Sequence, residues 1–414
     1  MLSGQVAGVQ MIIQGINAVT GLMIVRYMAK DDYAWFTLAA SVLATLNLLG
    51  DGGVGTGLTA IGGRIHDQPG PFAQLLQQGL RLSFRLTIVG FVLAAPLFYG
   101  LYLRIGASSG FTVTVLLLAG FAAWPSVSTV MLNVANRLHA RVGVIQMGDV
   151  TGALVRLGAT TALWAGGWLL VLPTLLATVL AGWSQAILIR VRSRHFLQAP
   201  AVDVSYQSEL AGFVRSLYGN HIFFCLQAQV ATWIISWLAG SSEVADLGAL
   251  ARLGVLFVAI TSPINFLAIP AIARIRDHGL LRRRMALALG GAVGVAVLVV
   301  AVAYWQPAPF LWLLGGNYGH LVLELPLALA AQGLNMVAAL AWGLLLTRGW
   351  VRHAWITIVT TLVGFATGAA LFPLGTVAGM LKFNAVAVLP TLMLCLAIIV
   401  FKLVRTVPVD APSH

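Results

Sequence analysis

Charge is what this sequence has least of. Only 9% of its 414 residues are Asp, Glu, Lys or Arg, against about 25% in an ordinary soluble domain. Acids are scarcest, 12 against 24 Lys and Arg, while 59% of the chain is hydrophobic. Such a composition cannot clothe a water-facing surface, which excludes a soluble globular protein. The two cysteines, Cys225 and Cys395, both lie in apolar runs. That excludes a disulfide framework and a thiolate metal site, so neither metal nor cofactor is expected. GxxxxGK[ST], HExxH, CxxC and a GxSxG flanked by a fitting His and Asp are all missing, so the chain is expected neither to hydrolyse ATP nor to be an enzyme. The opening MLSGQVAGVQMIIQGINAV has no basic stretch ahead of its apolar run, and no cleavable signal is expected.

What the chain has is long apolar runs. A window of about 19 residues finds twelve candidate spans, near 5–28, 34–62, 82–103, 110–134, 143–165, 168–190, 213–238, 244–272, 285–305, 319–346, 350–374 and 379–402. Runs unbroken for about 20 residues exclude a transmembrane barrel and predict an all-α polytopic membrane protein. With both termini cytoplasmic, the inner loops collect nearly all the loop cations. These are Arg64, Arg81 and Arg85; Arg137 and Arg141; Arg190, Arg192, Arg194 and Arg215; Arg274, Arg276 and Arg282 to Arg284; Arg348 and Arg352; and Lys402 and Arg405. The outer loops keep only Lys30 and Arg104, as the positive-inside rule requires. The net charge of +12 is thus spread over short loops and gathered on no domain, which argues against a nucleic-acid partner. No loop is long enough for a soluble catalytic domain.

The spans divide into two six-helix bundles, 1–191 and 213–404, joined by a basic loop at 192–212 and followed by a tail at 405–414. Residues 21–65 lie over 231–275 without a gap, matching Ile24, Ala29, Ala39, Leu43, Leu46, Arg64 and Ile65 to Ile234, Ala239, Ala249, Leu253, Leu256, Arg274 and Ile275. The same offset sets Gln10 on Asn220, Asn17 on Gln227, and the breaker cluster Gly50–Gly55 on Ile260–Asn265. Two halves that enter the membrane from one side form a parallel repeat, the plan of transporters that rock about a central site.

Seven charges fall inside the apolar runs: Arg26, Asp51, Asp149, Arg156, Arg252, Glu324 and Lys382. Each costs roughly 2.5 kcal/mol or more in hydrocarbon, so such residues face a bundle interior or a watery cavity. Arg252, Arg156, Arg26 and Lys382 are candidates for binding an anionic cargo, because cationic side chains grip phosphate and arginine does so bidentately. Asp51, Asp149 and Glu324 are candidates for ion coupling. Gln10, Gln14 and Asn17 share one face of the first span; with Asn220, Gln227 and Asn335 they would line the same cavity. Structural readings stand beside these. Asp149 and Arg156 could be interhelical glue, Arg26 and Lys382 could snorkel to the outer boundary, and Asp51 could cap a bend. Glu324 is near the outer edge, and His221 and His320 are expected to be interfacial.

The segment IVRYMAKDDYAWFTLAASVLATLNLLGDGGVGTGL resembles that of the Wzx-type polysaccharide flippases, which share a superfamily with multidrug-and-toxin extruders. The similarity rests on Arg26, the acidic turn Asp31–Asp32, the aromatic stretch Tyr33–Phe36 and the LxDxG-like Leu49–Gly53. The resemblance implies two bundles around a V-shaped central cavity in the bacterial inner membrane. It also implies flipping of undecaprenyl-diphosphate-linked oligosaccharide from the inner to the outer leaflet by alternating access, coupled to a proton gradient. Its partners would be that polyprenyl-diphosphate-linked saccharide, the lipid bilayer, a polysaccharide polymerase and a chain-length regulator. A multidrug extruder of the same fold, or a membrane polymerase or ligase, are the alternatives; the cationic bias argues against the first and the short outer loops against the second.

Overall fold

The structure, a computed structural model, describes residues 2–198, 205–263, 272, 275, 277–350 and 355–405. The cations Arg274, Arg276 and Arg352 and the tail beyond 405 lie outside the described residues, as do positions 199–204 of the loop expected to join the two halves. The described residues are helical throughout, with short connections and no strand. They cluster into two compact units, Met1–Ala245 and Asp246–His414.

In the first unit α1 is Leu2–Tyr27, α2 Lys30–Asp51, α3 Val54–Ile65, α4 Pro69–Arg104, α5 Ser109–Leu138, α6 Val142–Ala165, α7 Val171–Arg192 and α8 Gln207–Leu238. Helices α2, α4, α5 and α7 pack together; α6 covers α7, α1 lies on α6, and α8 lies along α2, α3 and α4. The α9 helix, Ser241–Arg252, runs across the boundary between the units. The second unit continues with α10 (Val255–Pro263), α11 (His278–Trp305), α12 (Pro307–Leu314), α13 (Glu324–Thr347), α14 (Trp355–Leu371) and α15 (Val377–Arg405). There α13 is central, packed by α10, α11 and α15, with α14 against α15. The seventh expected span, α8, clusters with the first six because of this packing on α2, α3 and α4.

Nine segments among the described residues are long and apolar enough to cross a membrane. The other three of the twelve expected spans depart for visible reasons. In α6 the polar face of Gln146, Asp149 and Arg156 lowers the hydropathy. The eighth expected span is no single helix; it breaks between Arg252 and Val255 into α9 and α10. The described part of the eleventh, α14, has 17 residues. The paired breaker at Ile260–Asn265 meets the end of α10 at Pro263, and the rest of that breaker lies outside the described residues.

The helices are built for an apolar solvent. Large side chains such as Leu93, Met393 and Val92 face outward. Hydroxyls are turned back onto their own helices instead: Thr20 donates to the Ile16 carbonyl, Thr45 to Ser41 and Thr87 to Ser83, each at 2.8 Å. Such bonds satisfy a polar group where no water can. Small residues then let backbones meet. A Cβ on Gly364 of α14 would lie 2.5 Å from the Ala387 carbonyl oxygen of α15, whereas one on Gly63 would meet nothing within 4 Å. Gly364→Ala is therefore expected to destabilise the protein by on the order of 1–3 kcal/mol. Gly63→Ala should leave stability nearly unchanged. Thermal unfolding midpoints of the two variants in detergent check the contrast.

Candidate functional site

The break between α2 and α3 is set by two glycines with left-handed backbone, Gly52 at φ 49° and Gly53 at φ 96°. A Cβ on either would come within 2.9 Å of α8, at Tyr218 and Leu217 respectively. Only glycine supplies this conformation and this approach together. Asp51, the last residue of α2, turns its carboxylate over the break and accepts from the Gly55 N–H at 3.1 Å and the Gly53 N–H at 3.4 Å. It thereby caps α3, the structural role open to it from sequence. It does more than cap. Its Oδ2 also lies 3.1 Å from Nε2 of His221 on α8, whose Nδ1 is 3.1 Å from the Leu217 carbonyl. Both ring nitrogens face acceptors, and only a doubly protonated imidazole donates from both. Asp51 and His221 are thus an ion pair about three-quarters buried.

This pair is the middle rung of an antiparallel ladder along α2–α3 and the region of α8. Ser241 Oγ donates to Asp31 at 2.6 Å. Trp233 Nε1 donates to Ser41 Oγ at 3.0 Å, and Ser41 in turn donates to Gln229 Oε1 at 2.6 Å. Below Asp51–His221, Arg64 pairs with Glu209. As the number rises on one strand of the ladder it falls on the other, the pattern of two antiparallel helices in register. Beside Asp51 a partly open cavity of about 460 Å³ is lined by Gly55, Thr56, Thr59, Val130, Val134 and Arg137 as well.

The other sequence candidates of the first unit are spread over α1, α6 and α8. Asp149 accepts from Gln185 Nε2 of α7 at 2.7 Å, across a contact that Gly148 and Gly152 make close. That is interhelical bonding of the kind weighed for it from sequence. Arg156 is half-buried two turns along α6. Gln10, Gln14 and Asn17 are half-buried on α1, which packs on α6, and Asn220 and Gln227 are half-buried on α8. Arg26 stands in the last turn of α1, half-buried.

In the second unit Arg252 closes α9, where a cation complements the helix C-terminus. It does not lie within a continuous span. Gln332 of α13 donates to the Leu250 carbonyl at 3.0 Å and fills the space a Cβ on Gly254 would need, so the break is held from the neighbouring helix. Glu324 is the first residue of α13, at the helix end that favours an acid. Asn335 is exposed and returns its amide to the Ala331 carbonyl of its own helix. Lys382 is exposed, its ammonium 5.9 Å from the centre of the Phe372 ring. His320 meets the buried Asp246 at 2.9 Å. Sequence reasoning passed over His221, Gln185, Gln229 and His320 as partners. Their partners lie 36 to 188 positions away along the chain, and no local spacing signals such pairs.

Removing the Asp51 carboxylate strands two backbone donors and the His221 imidazolium. Asp51→Ala is expected to lower stability by about 2 kcal/mol, and Asp51→Asn by less because the amide oxygen still caps α3. Equal losses in thermal unfolding for the two variants would remove the cap from the account.

No protein-family model and no curated protein matches the sequence. Solved structures do. A multidrug resistance MATE family transporter of the MOP superfamily in its inward-facing conformation matches with a TM-score of 0.73 and 17% identity, over 94% of this chain and 95% of that one. The outward-facing conformation of such a transporter gives 0.61 and 17%, over 97% and 95%. A MATE structure in a bent conformation gives 0.63 and 16% over the same shares. These neighbours are transporters, not enzymes. The chain is a multi-pass membrane protein with the MATE transporter fold.

Proposed function

We propose that this chain exports an amphipathic solute across a membrane by alternating access. The observation that carries this reading is the fold, matched over nearly the whole of both chains to transporters solved facing inward and outward. Both termini lie in the cytoplasm on this reading, because that orientation puts the arginine-rich loops inside. Asp51 is the proposed coupling acid of the first unit. A proton taken up by its carboxylate would cancel the attraction to His221 and loosen the ladder at its middle rung. Asp149 and Glu324 are secondary candidates.

Two cargo classes compete. The neighbours described by activity are multidrug transporters, which favours an extruder of amphipathic organic compounds. The charge favours the second reading, the flipping of polyprenyl-diphosphate-linked oligosaccharide from the inner to the outer leaflet of a bacterial inner membrane. Cations outnumber acids twofold, and Arg26, Arg156 and Arg252 are half-buried. Asp51 and Asp149 already accept hydrogen bonds within the protein, so neither is a bare acid awaiting an organic cation. A polymerase and a chain-length regulator would be partners on this second reading alone.

A strain lacking the protein and complemented with variants separates the two. If the cargo is a lipid-linked saccharide, Arg252→Ala abolishes surface polysaccharide at unchanged membrane abundance and Arg252→Lys keeps part of it. Efflux of a fluorescent organic cation then stays the same with and without the protein. The opposite pattern, normal polysaccharide and lost efflux in the deletion strain, establishes the extruder.

A further inference from the structure

On the arginine-rich face of the first unit, where α3 turns into α4, α5 turns into α6 and α7 ends, a cavity of about 690 Å³ opens. It is lined by His66, Phe72, His139, Arg141, His195 and Phe196, with Pro69 at the first turn of α4. No carboxylate is among its lining residues; Asp67, beside His66, is exposed. The transport reading uses none of these groups.

The charge state of the cavity follows from its hydrogen bonds. His139 places Nδ1 2.9 Å from the Ala135 carbonyl and Nε2 2.9 Å from the His66 carbonyl. Both ring nitrogens thus face backbone carbonyls, which fixes the ring in the wall of the cavity. Arg141 Nη1 lies 2.7 Å from His195 Nε2 and 3.3 Å from the Arg192 carbonyl. A guanidinium only donates, so His195 accepts and is neutral there. Burial, then Arg141, then His139, hold its pKa below the usual histidine value. These bonds use Nη1 alone, which leaves the other edge of the guanidinium fork for a ligand.

The backbone between His139 and Arg141 is strained. Ala140 is the one non-glycine residue at positive φ among the described residues, at 55°. That conformation costs about 1–2 kcal/mol for an L-residue. It closes the end of α5 through Arg141 N–H to the Asn136 carbonyl at 2.8 Å and sets His139 and Arg141 on one cavity. The opposite wall is anchored by a buried pair, Asn136 Nδ2 donating to Ser193 Oγ at 2.9 Å, which holds the turn carrying His195. The floor is aromatic, with the His139 ring 4.9 Å from Phe72 and 4.4 Å from Phe196. The N-terminus of the 36-residue α4 opens beside it and adds a positive dipole end.

We propose that this cavity is a binding site for a phosphate group, presented by an anionic lipid headgroup or by a free phosphorylated solute. The free edge of the Arg141 guanidinium would hold the oxygens, with His66 and His195 at the rim and the His139 ring, tied to two backbone carbonyls, shaping the wall. An arriving phosphate favours the protonated form of His195, so binding consumes a proton and tightens as pH falls. Besides the phosphate, His195 then faces Arg141 and His139 from the α5–α6 turn, His66 and Asp67 from the α3–α4 turn, and Arg192 and Arg194 from its own segment.

The test uses the full chain in a neutral detergent and in nanodiscs. Inorganic phosphate is titrated against chloride of equal ionic strength, with the thermal unfolding midpoint as readout. Retention of phosphatidylglycerol over phosphatidylcholine is read by mass spectrometry. Wild-type protein is expected to bind at least one of the two probes, and Arg141→Gln to bind it about tenfold more weakly. If Arg141→Gln fails to fold, the double variant His66→Ala, His195→Ala replaces it, since both side chains are exposed and a several-fold loss is expected. Affinity should rise from about pH 8 to about pH 6 in wild type and less so in His195→Ala. Preference for phosphatidylglycerol assigns the site to lipid, and a response to phosphate alone assigns it to a solute. Binding of neither probe by wild type, or unchanged binding in the variants, overturns the proposal.

Discussion

The pairing of Asp51 with His221 organises more of the first unit than any other single contact. A carboxylate at the end of one membrane helix costs several kcal/mol unless its lone pairs are filled. Here two backbone N–H groups and an imidazolium fill them. Because the same oxygens cap α3, the direction of the chain after the break is tied to the charge pair. Because His221 belongs to α8, so is the register of α8. The rungs at Asp31, Ser41 and Arg64 follow from that register, and the glycines at 52 and 53 exist to let the two backbones come close enough for it.

The two units place their intramembrane charges by the same economy. Arg252 ends a helix, Glu324 begins one, and Asp51 both ends α2 and caps α3. Charges at helix ends are balanced by the partial charges of unsatisfied backbone groups, which are far cheaper partners than an opposite charge brought from elsewhere. Asp149, Arg156 and Lys382 stand inside helices instead, and Asp149 has an amide from α7 as its partner.

Much of this was legible in the sequence, and the reason is the solvent. Hydrocarbon imposes apolar runs of a set length, so the all-helical plan and the positions of most spans can be read directly, as can the bend at Gly50–Gly55. The break after Arg252 could not be read, because it depends on Gln332 reaching the Leu250 carbonyl from a helix 82 positions on. Arg252 accordingly reads as lying inside a continuous span, whereas it closes α9. His221 and His320 read as interfacial because a lone histidine in an apolar run carries no mark of the acid it meets. The cluster of His66, His139, Arg141 and His195 was likewise hidden, since three separate turns supply it and each alone looks like an ordinary basic loop.

The back-bonded hydroxyls and the self-capping aspartate bear on how the chain enters its membrane. Thr20, Thr45 and Thr87 find their acceptors within a single turn of their own helices, and Asp51 finds two donors within four residues. Each of these segments can therefore leave water with its polar groups already satisfied, before any neighbour has been synthesised. His221 follows 170 positions later, so Asp51 must reside in the bilayer for the whole of that interval with only its own backbone for company. The order of the chain thus lets insertion and assembly be separate events, with the long-range ladder closing last.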